Sequence, residues 1–472
     1  MDGTGRVEAY LPDGQGAGRT TRWILISGAL FFATVALMMF YREVLLPMVL
    51  PEISEGLFAG DPIYYQRLAV GLVADMKVQG WNAWTLRPAG QAPAGILAAL
   101  YYFTGPDSRM VIPLNAVLHV IGTLALYGVV TRLVSWKLAV LLCVPYWLSP
   151  YHMALYAQPN KDSFAGAGAL MLVYGWGRIT DLFLSSPSGT TRAWFSALCS
   201  VLAGTVLMGI VRPYMVSIAL VMGVACFCWL AVHSIGWYRL EEGARRVERG
   251  MKLAGIAFIL LASIPLSWSD FEEKAQRSRM EFVNHSSTTE LWRPIGWIPQ
   301  AVENKVAAIV VAHRGSFRDF LTDRNQASRD ALIDVNHRFE SMADVVAYLP
   351  RAAQIGFFAP FPNQWSFFGF PSRSVFWNVS AWQMLSAYGA YTLLIWGVVR
   401  LPERSTLMVA IGFAVVFMLF YAFAVPHLGN LDRYRYPWLC LLTALGGACG
   451  VRCWQRRKAR AGARSCAAQT LV

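Results

Sequence analysis

The sequence predicts an all-α polytopic membrane protein of about ten transmembrane helices, and three observations lead to this fold class. Of the 472 residues, 56% are hydrophobic and only 15% are charged, so the chain is more apolar than ordinary soluble domains. The apolar residues occur in runs of about 20, the length that crosses the hydrocarbon core of a bilayer. Lys and Arg gather at the ends of these runs, as the positive-inside rule describes.

The net charge of +13 is explained by this membrane topology, because the basic residues flank apolar runs rather than form a separate basic surface. We therefore expect no nucleic-acid partner. The eight cysteines lie in apolar runs or in the C-terminal tail. This distribution argues against a disulfide framework in the outer loops and against a zinc site.

The first membrane helix, about residues 23–48, follows a polar cytoplasmic tail of residues 1–22 and leads into an outer loop of residues 49–108. Within that loop, residues 91–104 are apolar but span only about 21 Å as a helix, which is short for a crossing. If this run lies in the membrane interface, Arg132 and Lys137 face the cytoplasm, as the charge rule requires. We therefore predict interfacial helices in the first outer loop.

The remaining spans are predicted at residues 112–131, 138–156, 163–177, 193–210, 214–232, 253–268, 379–399, 406–425 and 437–451. The domains are then an N-terminal bundle (23–268), a partly interfacial extracytoplasmic loop region (269–378), C-terminal helices (379–451) and a basic cytoplasmic tail (452–472). We expect a multi-pass protein of the cell inner (plasma) membrane with both termini in the cytoplasm.

Four polar clusters lie on the outer side in this topology: residues 61–65, residues 160–162, Arg212 and residues 432–435. Ionisable groups are costly near hydrocarbon, so clusters at one face of a bundle commonly line a functional cavity. A carboxylate can deprotonate a hydroxyl, and Arg and Lys can hold a phosphate. The combination predicts an active site that handles a hydroxyl and a phosphate.

Asp61 lies beside Pro62, which suits the first turn of a helix, and we expect Asp61 to be the N-cap residue. Tyr64 and Tyr65 would then line one side of this helix and position the substrate. Structural alternatives stay open, because Asp61 could simply cap its helix. Likewise, Arg433 and Arg435 could be interfacial anchors.

The order of these elements resembles the GT-C superfamily of polytopic glycosyltransferases, which includes protein O-mannosyltransferases and lipid A aminoarabinose transferases. The resemblance covers residues 20–180. It rests on the pattern Asp-x-x-Tyr-Tyr-x-x-x-Ala that starts at Asp61, on a short Pro-containing segment (87–104) and on Arg109 before the second helix.

The resemblance implies inverting transfer of a sugar from a polyprenyl-phosphate-linked donor to a hydroxyl of a glycan, lipid or protein acceptor at the outer face. Asp61 would be the general base or the acid that orients the acceptor. The chain differs from the mannosyltransferase pattern at Pro62, where a second acid is missing, and at residues 90–93, which replace a His-Pro-Pro segment. These differences leave the acceptor and a divalent metal requirement open.

Within this interpretation Asp162 is a second catalytic or metal-linked group, and the donor phosphate is bound by Lys161, Arg212, Arg433 and Arg435. The aromatic residues 357–365 would cover the lipid chain. Two alternatives remain, an outer-face polysaccharide polymerase that uses lipid-linked repeat units and a non-catalytic transporter or flippase of lipid-linked glycans. Charges at helix ends and the lack of an internal repeat favour the enzyme over the transporter.

Overall fold

The computed structural model describes residues 16–49, 57, 58, 60–184, 191–238, 243–268, 292–314, 317, 321, 329–365, 375–401 and 404–469. Within these ranges the chain is helical between its turns, and its β pairing is an isolated bridge between Leu332 and His427. The predicted all-α class is therefore confirmed.

The helices before residue 269 are α1 (Gly16–Phe40), continued by a π-helical turn (Tyr41–Leu45) into α2 (Leu46–Val49), α3 (Asp61–Gln79), α4 (Ala92–Thr104), α5 (Ile112–Val130), α6 (Trp136–Trp147), α7 (Pro150–Tyr156), α8 (Asp162–Leu184), α9 (Thr191–Val211), α10 (Pro213–Tyr238) and α11 (Gly243–Trp268). The later helices are α12 (Gln300–Ala307), α13 (Met342–Phe358), α14 (Val375–Arg400), α15 (Arg404–Ala424) and α16 (Leu428–Gln469). Each range predicted as a membrane span contains helix.

Within the described ranges, six stretches are long and apolar enough to cross a membrane: Ile24–Met48, Ser108–Val130, Thr191–Val211, Pro213–Ile235, Arg246–Ser267 and Leu407–Ala424. A seventh results if α6 and α7 together form one bent span. The chain is therefore a multi-pass membrane protein. Because α8, α14 and α16 fall outside this set, the number of ten spans stays a prediction.

The third predicted span is broken rather than continuous, since α6 and α7 meet at an angle of 64°. Pro150 is the first residue of α7, a position where a helix needs no backbone N–H donor. Its ring would not fit in the interior of a regular helix that continued from α6. The last turn of α6 closes with Leu148 N donating to the carbonyl of Val144. The bend places α7 directly before the turn that leads into α8.

The first outer loop contains a helical hairpin, α3 and α4, with its own small core. Leu97 and Tyr101 of α4 pack against Leu72 and Met76 of α3, and these residues are buried apart from the main core. The helix α4 has only 13 residues and is shorter than the apolar helices that could span a membrane, so its interfacial placement stays a prediction. Asp61 is the first residue of α3 and Gly60 is its N-cap, so the predicted N-cap role of Asp61 is wrong.

Helices α8 and α9 pack closely because glycines lie where they cross. A Cβ added to Gly168 would be 2.7 Å from the carbonyl oxygen of Gly204. A Cβ at Gly175 would be 2.7 Å from the side chain of Val201. Small residues that let backbones approach are the usual basis of helix packing in membranes. The pairing fixes the start of α8 beside the end of α9.

The helix α16 begins at Leu428, nine residues earlier than the predicted span at 437. The segment expected to be an outer turn is therefore helical, and Pro437 lies inside the helix. Residues two apart on a helix point about 200° away from each other. Arg433 and Arg435 consequently leave α16 on different sides, whereas a turn would have let both face one cavity.

Candidate functional site

Asp162 is the centre of a buried ionic cluster. Arg212 donates from Nη2 to Oδ1 of Asp162 at 2.5 Å, and Arg433 donates from Nη2 and Nε to Oδ2 at 2.8 and 3.0 Å. The Asp162 side chain is only 2% exposed. Both carboxylate oxygens are thus engaged by guanidinium groups from segments that are distant in sequence.

The turn before α8 places Asp162 through a network of amide side chains. The Oδ1 atom of Asn160 accepts from the backbone nitrogens of Asp162 and Ser163 at 2.9 and 3.3 Å, as an N-cap residue does. Asn115 of α5 donates to the carbonyls of Tyr156 and Gln158 at 2.8 and 3.0 Å. A carboxylate in the first turn of a helix also interacts favourably with the positive end of the helix dipole.

Arg212 lies at the corner between α9 and α10, where Pro213 starts the next helix. Its guanidinium carbon lies 3.9 Å from the centre of the Tyr434 ring. A cation over the face of an aromatic ring is attracted to it, most strongly where water is excluded. Tyr434 therefore supports Arg212. Sequence reasoning missed this role, although Tyr434 lies between the predicted residues Arg433 and Arg435.

Arg433 connects the buried carboxylate to a second one near the surface. Its Nη2 lies 3.5 Å from Oδ2 of Asp61, and its Nη1 donates to Oδ1 of Asn430 at 3.4 Å. Exposure rises outward, from 2% for Asp162 through 14% for Arg433 to 48% for Asp61. Asp61 is thus the carboxylate of this cluster that an external molecule can reach.

The two predicted positioning tyrosines have different environments. Tyr65 is buried, and Nζ of Lys161 lies 5.7 Å from the centre of its ring. Burial, and to a lesser degree the Asp61 carboxylate, raise the pKa of Tyr65, so its phenol stays protonated at neutral pH. Tyr64 is about half exposed, with its ring 6.0 Å from that of Tyr65. Tyr64 therefore lies at the rim of the cluster and Tyr65 in its wall.

Arg435 lies outside this cluster. Its Nη2 donates to Asp432 at 3.2 Å, and its Nη1 donates to the carbonyls of Gly356 and Ile355 at 3.1 and 3.4 Å. A cation at these last carbonyls stabilises the C-terminal end of α13. The structure therefore does not bring Arg435 to Asp61 and Asp162, because the helical start of α16 turns it the other way.

The aromatic segment 357–365 packs on α14. Tyr388 donates its hydroxyl to the carbonyl of Phe358 at 2.6 Å, and Tyr391 donates to the carbonyl of Phe357 at 3.2 Å. Trp365 is buried against the Tyr388 ring. This packing leaves the predicted role of the segment, covering a lipid chain, as a prediction.

The cluster, which we call the Asp162 centre, consists of Asp61, Asp162, Lys161, Arg212 and Arg433. Three cations and two carboxylates meet there, and Arg212 and Arg433 are the ones that pair directly with Asp61 and Asp162. Among the described residues, no group of three His, Cys, Asp or Glu side chains could hold a metal ion. A divalent ion at this centre would need ligands from the substrate and water in addition to Asp61.

The buried His119 of α5 links this helix to α6. Its Nε2 lies 3.2 Å from the carbonyl oxygen of Trp147 in α6, and its ring stacks on that of Tyr146. Such a bond between helices is common in membrane bundles.

No protein-family model matches this chain, and no curated protein matches its sequence.

Proposed function

We propose that this protein is an integral membrane glycosyltransferase that moves a sugar from a polyprenyl-phosphate-linked donor to an acceptor hydroxyl. The observation that carries the proposal is the meeting of a half-exposed carboxylate, Asp61, with the arginine pair Arg212 and Arg433 at one end of the bundle. These three residues come from segments far apart in sequence. A base for a hydroxyl and cations for a phosphate are the two things that this reaction needs at one place.

In the proposed reaction the acceptor hydroxyl transfers its proton to Asp61 while its oxygen forms a bond to the anomeric carbon of the sugar. The bond between that carbon and the donor phosphate oxygen breaks, and the electron pair leaves with the phosphate. Arg433 and Arg212 stabilise the charge that develops on the phosphate oxygens. Lys161 lies beside Tyr65 and adds a further positive charge.

Asp162 takes a different role from the catalytic one expected from sequence. Both of its oxygens are bonded to arginines and it is shielded from solvent, so it is poorly suited to accept a proton from a substrate. We assign it to positioning: it holds Arg212 and Arg433 in a fixed relative orientation. Preorganised charges of this kind need little rearrangement during the reaction.

The proposal includes the topology of ten spans, with the Asp162 centre on the extracytoplasmic side of the plasma membrane. Support comes from the helix ends, because Asp162 opens α8 whereas Arg178 lies four turns further along the same helix. Similarly, Arg433 is in the first turns of α16 and the basic residues 456–460 are near its other end. Basic residues at the opposite end from the centre fit a cytoplasmic location.

The test compares Asp61→Asn with Asp75→Asn, a matched control on the exposed side of the same helix. Each variant replaces the native chain in cells of its source, and the envelope glycans and glycolipids are analysed by mass spectrometry. We expect Asp61→Asn to lower sugar transfer by about 10²- to 10⁴-fold, the usual contribution of a general base, and Asp75→Asn to match the native chain.

Product analysis separates the neighbouring activities. A transferase variant leaves the acceptor undecorated, whereas a defective polymerase leaves single repeat units. Unchanged glycans in both Asp61→Asn and Arg433→Gln would refute the proposal. Movement of a lipid-linked glycan across the membrane with no glycosidic product would identify a transporter instead.

A further inference from the structure

The contact between Asp61 and Arg433 is the weakest link of the Asp162 centre. The Nη2 atom of Arg433 lies 3.5 Å from Asp61 but 2.8 Å from Asp162. A separation of 3.5 Å is an ion pair rather than a strong hydrogen bond. Because Asp61 is half exposed, water and salt weaken this ion pair further.

Asp61 nevertheless occupies the outward-facing side of the Arg433 guanidinium. Arg433 donates from Nε and from one N–H of Nη2 to the buried Asp162, and from Nη1 to Asn430. An external phosphate that binds Arg433 must approach from the exposed side, where the Asp61 carboxylate now lies. The carboxylate of Asp61 and a phosphate carry the same sign of charge, so they compete for one position.

We propose that Asp61 occupies the anion-binding position of Arg433 in the resting protein and that the phosphate group of a ligand displaces it. The ion pair between Asp61 and Arg433 therefore inhibits the site to which both residues belong. This inference rests on the proposed function in that it takes a phosphate as the ligand. It adds that the base and the phosphate-binding cation hold each other inactive until that phosphate arrives.

The surroundings of Asp61 allow this displacement with little rearrangement. Asp61 is in the first turn of α3, and the preceding Gly60 has φ +95° with open space where a Cβ would stand. The arginine does not need to move, because Asp162 retains it from the buried side. Phosphate binding would thus release Asp61 to accept a proton, which couples recognition of the donor to activation of the acceptor.

The experiment measures binding of dodecyl phosphate to the purified full-length protein in detergent by calorimetry at low salt. We expect Asp61→Asn to bind dodecyl phosphate about two- to fivefold more tightly than the native chain, the range contributed by a partly exposed ion pair. We expect the advantage to shrink towards onefold at high salt, because screening already weakens the contact in the native chain. Asp75→Asn, with the same charge change on the same helix, should bind like the native chain.

Further arms identify the source of the phosphate and separate this inference from the proposed function. Inorganic phosphate tests for a free anion, and dodecanol tests for the lipid chain without charge. Arg433→Gln should weaken dodecyl phosphate binding by at least about tenfold, with Arg67→Gln on the exposed side of α3 as control. If Arg433→Gln weakens binding but Asp61→Asn does not strengthen it, the self-inhibitory contact is refuted and the phosphate site stands. If neither the native chain nor Asp61→Asn binds any phosphate, both ideas are refuted.

Discussion

Two carboxylates of this protein, Asp162 and Asp334, each accept hydrogen bonds from arginine, but they are held in opposite ways. Asp162 is buried and joins Arg212 and Arg433, which lie 50 and 271 residues away. Asp334 is partly exposed and receives Arg351 from α13, only 17 residues away, at 2.7 and 3.2 Å. The first carboxylate joins distant helices, whereas the second closes a local loop.

The arginines around the two carboxylates also differ in how fully their donors are used. Near Asp334, the buried Arg314 donates to the carbonyls of Asp334, Ala422 and Phe423 and to the hydroxyl of Tyr348. The side chain of Arg212, by contrast, donates only to Asp162 among the described residues. A guanidinium has five N–H donors, so Arg212 retains capacity for a ligand and Arg314 is largely committed to the fold. This difference is why we place function at Asp162 and structure at Asp334.

Among the tests of this difference between the two carboxylates, Asp162→Ala is expected to lower the unfolding free energy most. The substitution leaves the buried Arg212 and the 14% exposed Arg433 without their carboxylate, and the loss of a buried partner typically costs about 3–5 kcal/mol. Asp334→Ala should cost only about 1–2 kcal/mol, because its partners are closer to water and retain other acceptors. Reversible unfolding in mixed detergent measures both. Equal losses for the two variants would show that Asp162 is no more deeply integrated than Asp334.

The contribution of Asp334 to the stability of the fold depends on pH. The hydrogen bond from Arg351, more than any other interaction, lowers the pKa of Asp334 below its usual value, and Tyr348 adds a further bond at 3.0 Å. A carboxyl with a lowered pKa in the folded state stabilises the fold above its unfolded pKa. That contribution is lost as the pH falls through the lowered folded-state value.

We therefore expect the stability difference between the native chain and Asp334→Asn to be full near neutral pH and to vanish in acid. The measurement is the unfolding free energy of both proteins between pH 7 and strongly acidic pH. A difference that persists unchanged at low pH would mean that the charge of Asp334 contributes nothing. Asp75→Asn, whose carboxylate is exposed, provides the baseline for general acid effects.

The sequence alone predicts most residues of the Asp162 centre. Charge at the ends of apolar runs placed Asp61, Asp162, Arg212 and Arg433 on one side, and the structure brings these four together. The same reasoning included Arg435, because the last span was predicted to begin at residue 437, whereas the helix begins at Leu428. Helix boundaries near proline are weakly determined by local sequence, since Pro is tolerated in the interior of membrane helices.

Two further features depend on tertiary packing and leave no local signal. The saturation of Asp162 requires partners from the α9–α10 corner and from α16, so its sequence neighbours Lys161 and Ser163 do not reveal it. The support of Arg212 by Tyr434 likewise joins two distant segments. Sequence periodicity reports which face of one helix is apolar, but not which side chains of other helices meet it.

The smallest expected effect concerns Tyr434 and sharpens the contrast between Arg212, which lies on an aromatic ring, and Arg314, which is bound mainly to backbone carbonyls. Replacing its ring by an aliphatic side chain, Tyr434→Leu, removes the surface on which Arg212 lies at 3.9 Å, whereas Tyr434→Phe keeps that surface. A contact of this kind contributes about 0.5–2 kcal/mol. We expect Tyr434→Leu to weaken dodecyl phosphate binding by about two- to thirtyfold and Tyr434→Phe to stay within about twofold of the native chain.

The matching substitution at the other centre is Tyr348→Phe, which removes the hydroxyl that donates to Asp334 and contacts Arg314. It should lower stability slightly and leave phosphate binding unchanged, because Arg314 keeps its three carbonyl acceptors. The two measurements therefore distinguish Arg212, whose tyrosine supports phosphate binding, from Arg314, whose tyrosine supports stability. If Tyr434→Leu binds dodecyl phosphate as well as Tyr434→Phe does, Arg212 is positioned by Asp162 alone, and the aromatic ring beneath it serves only to fill space.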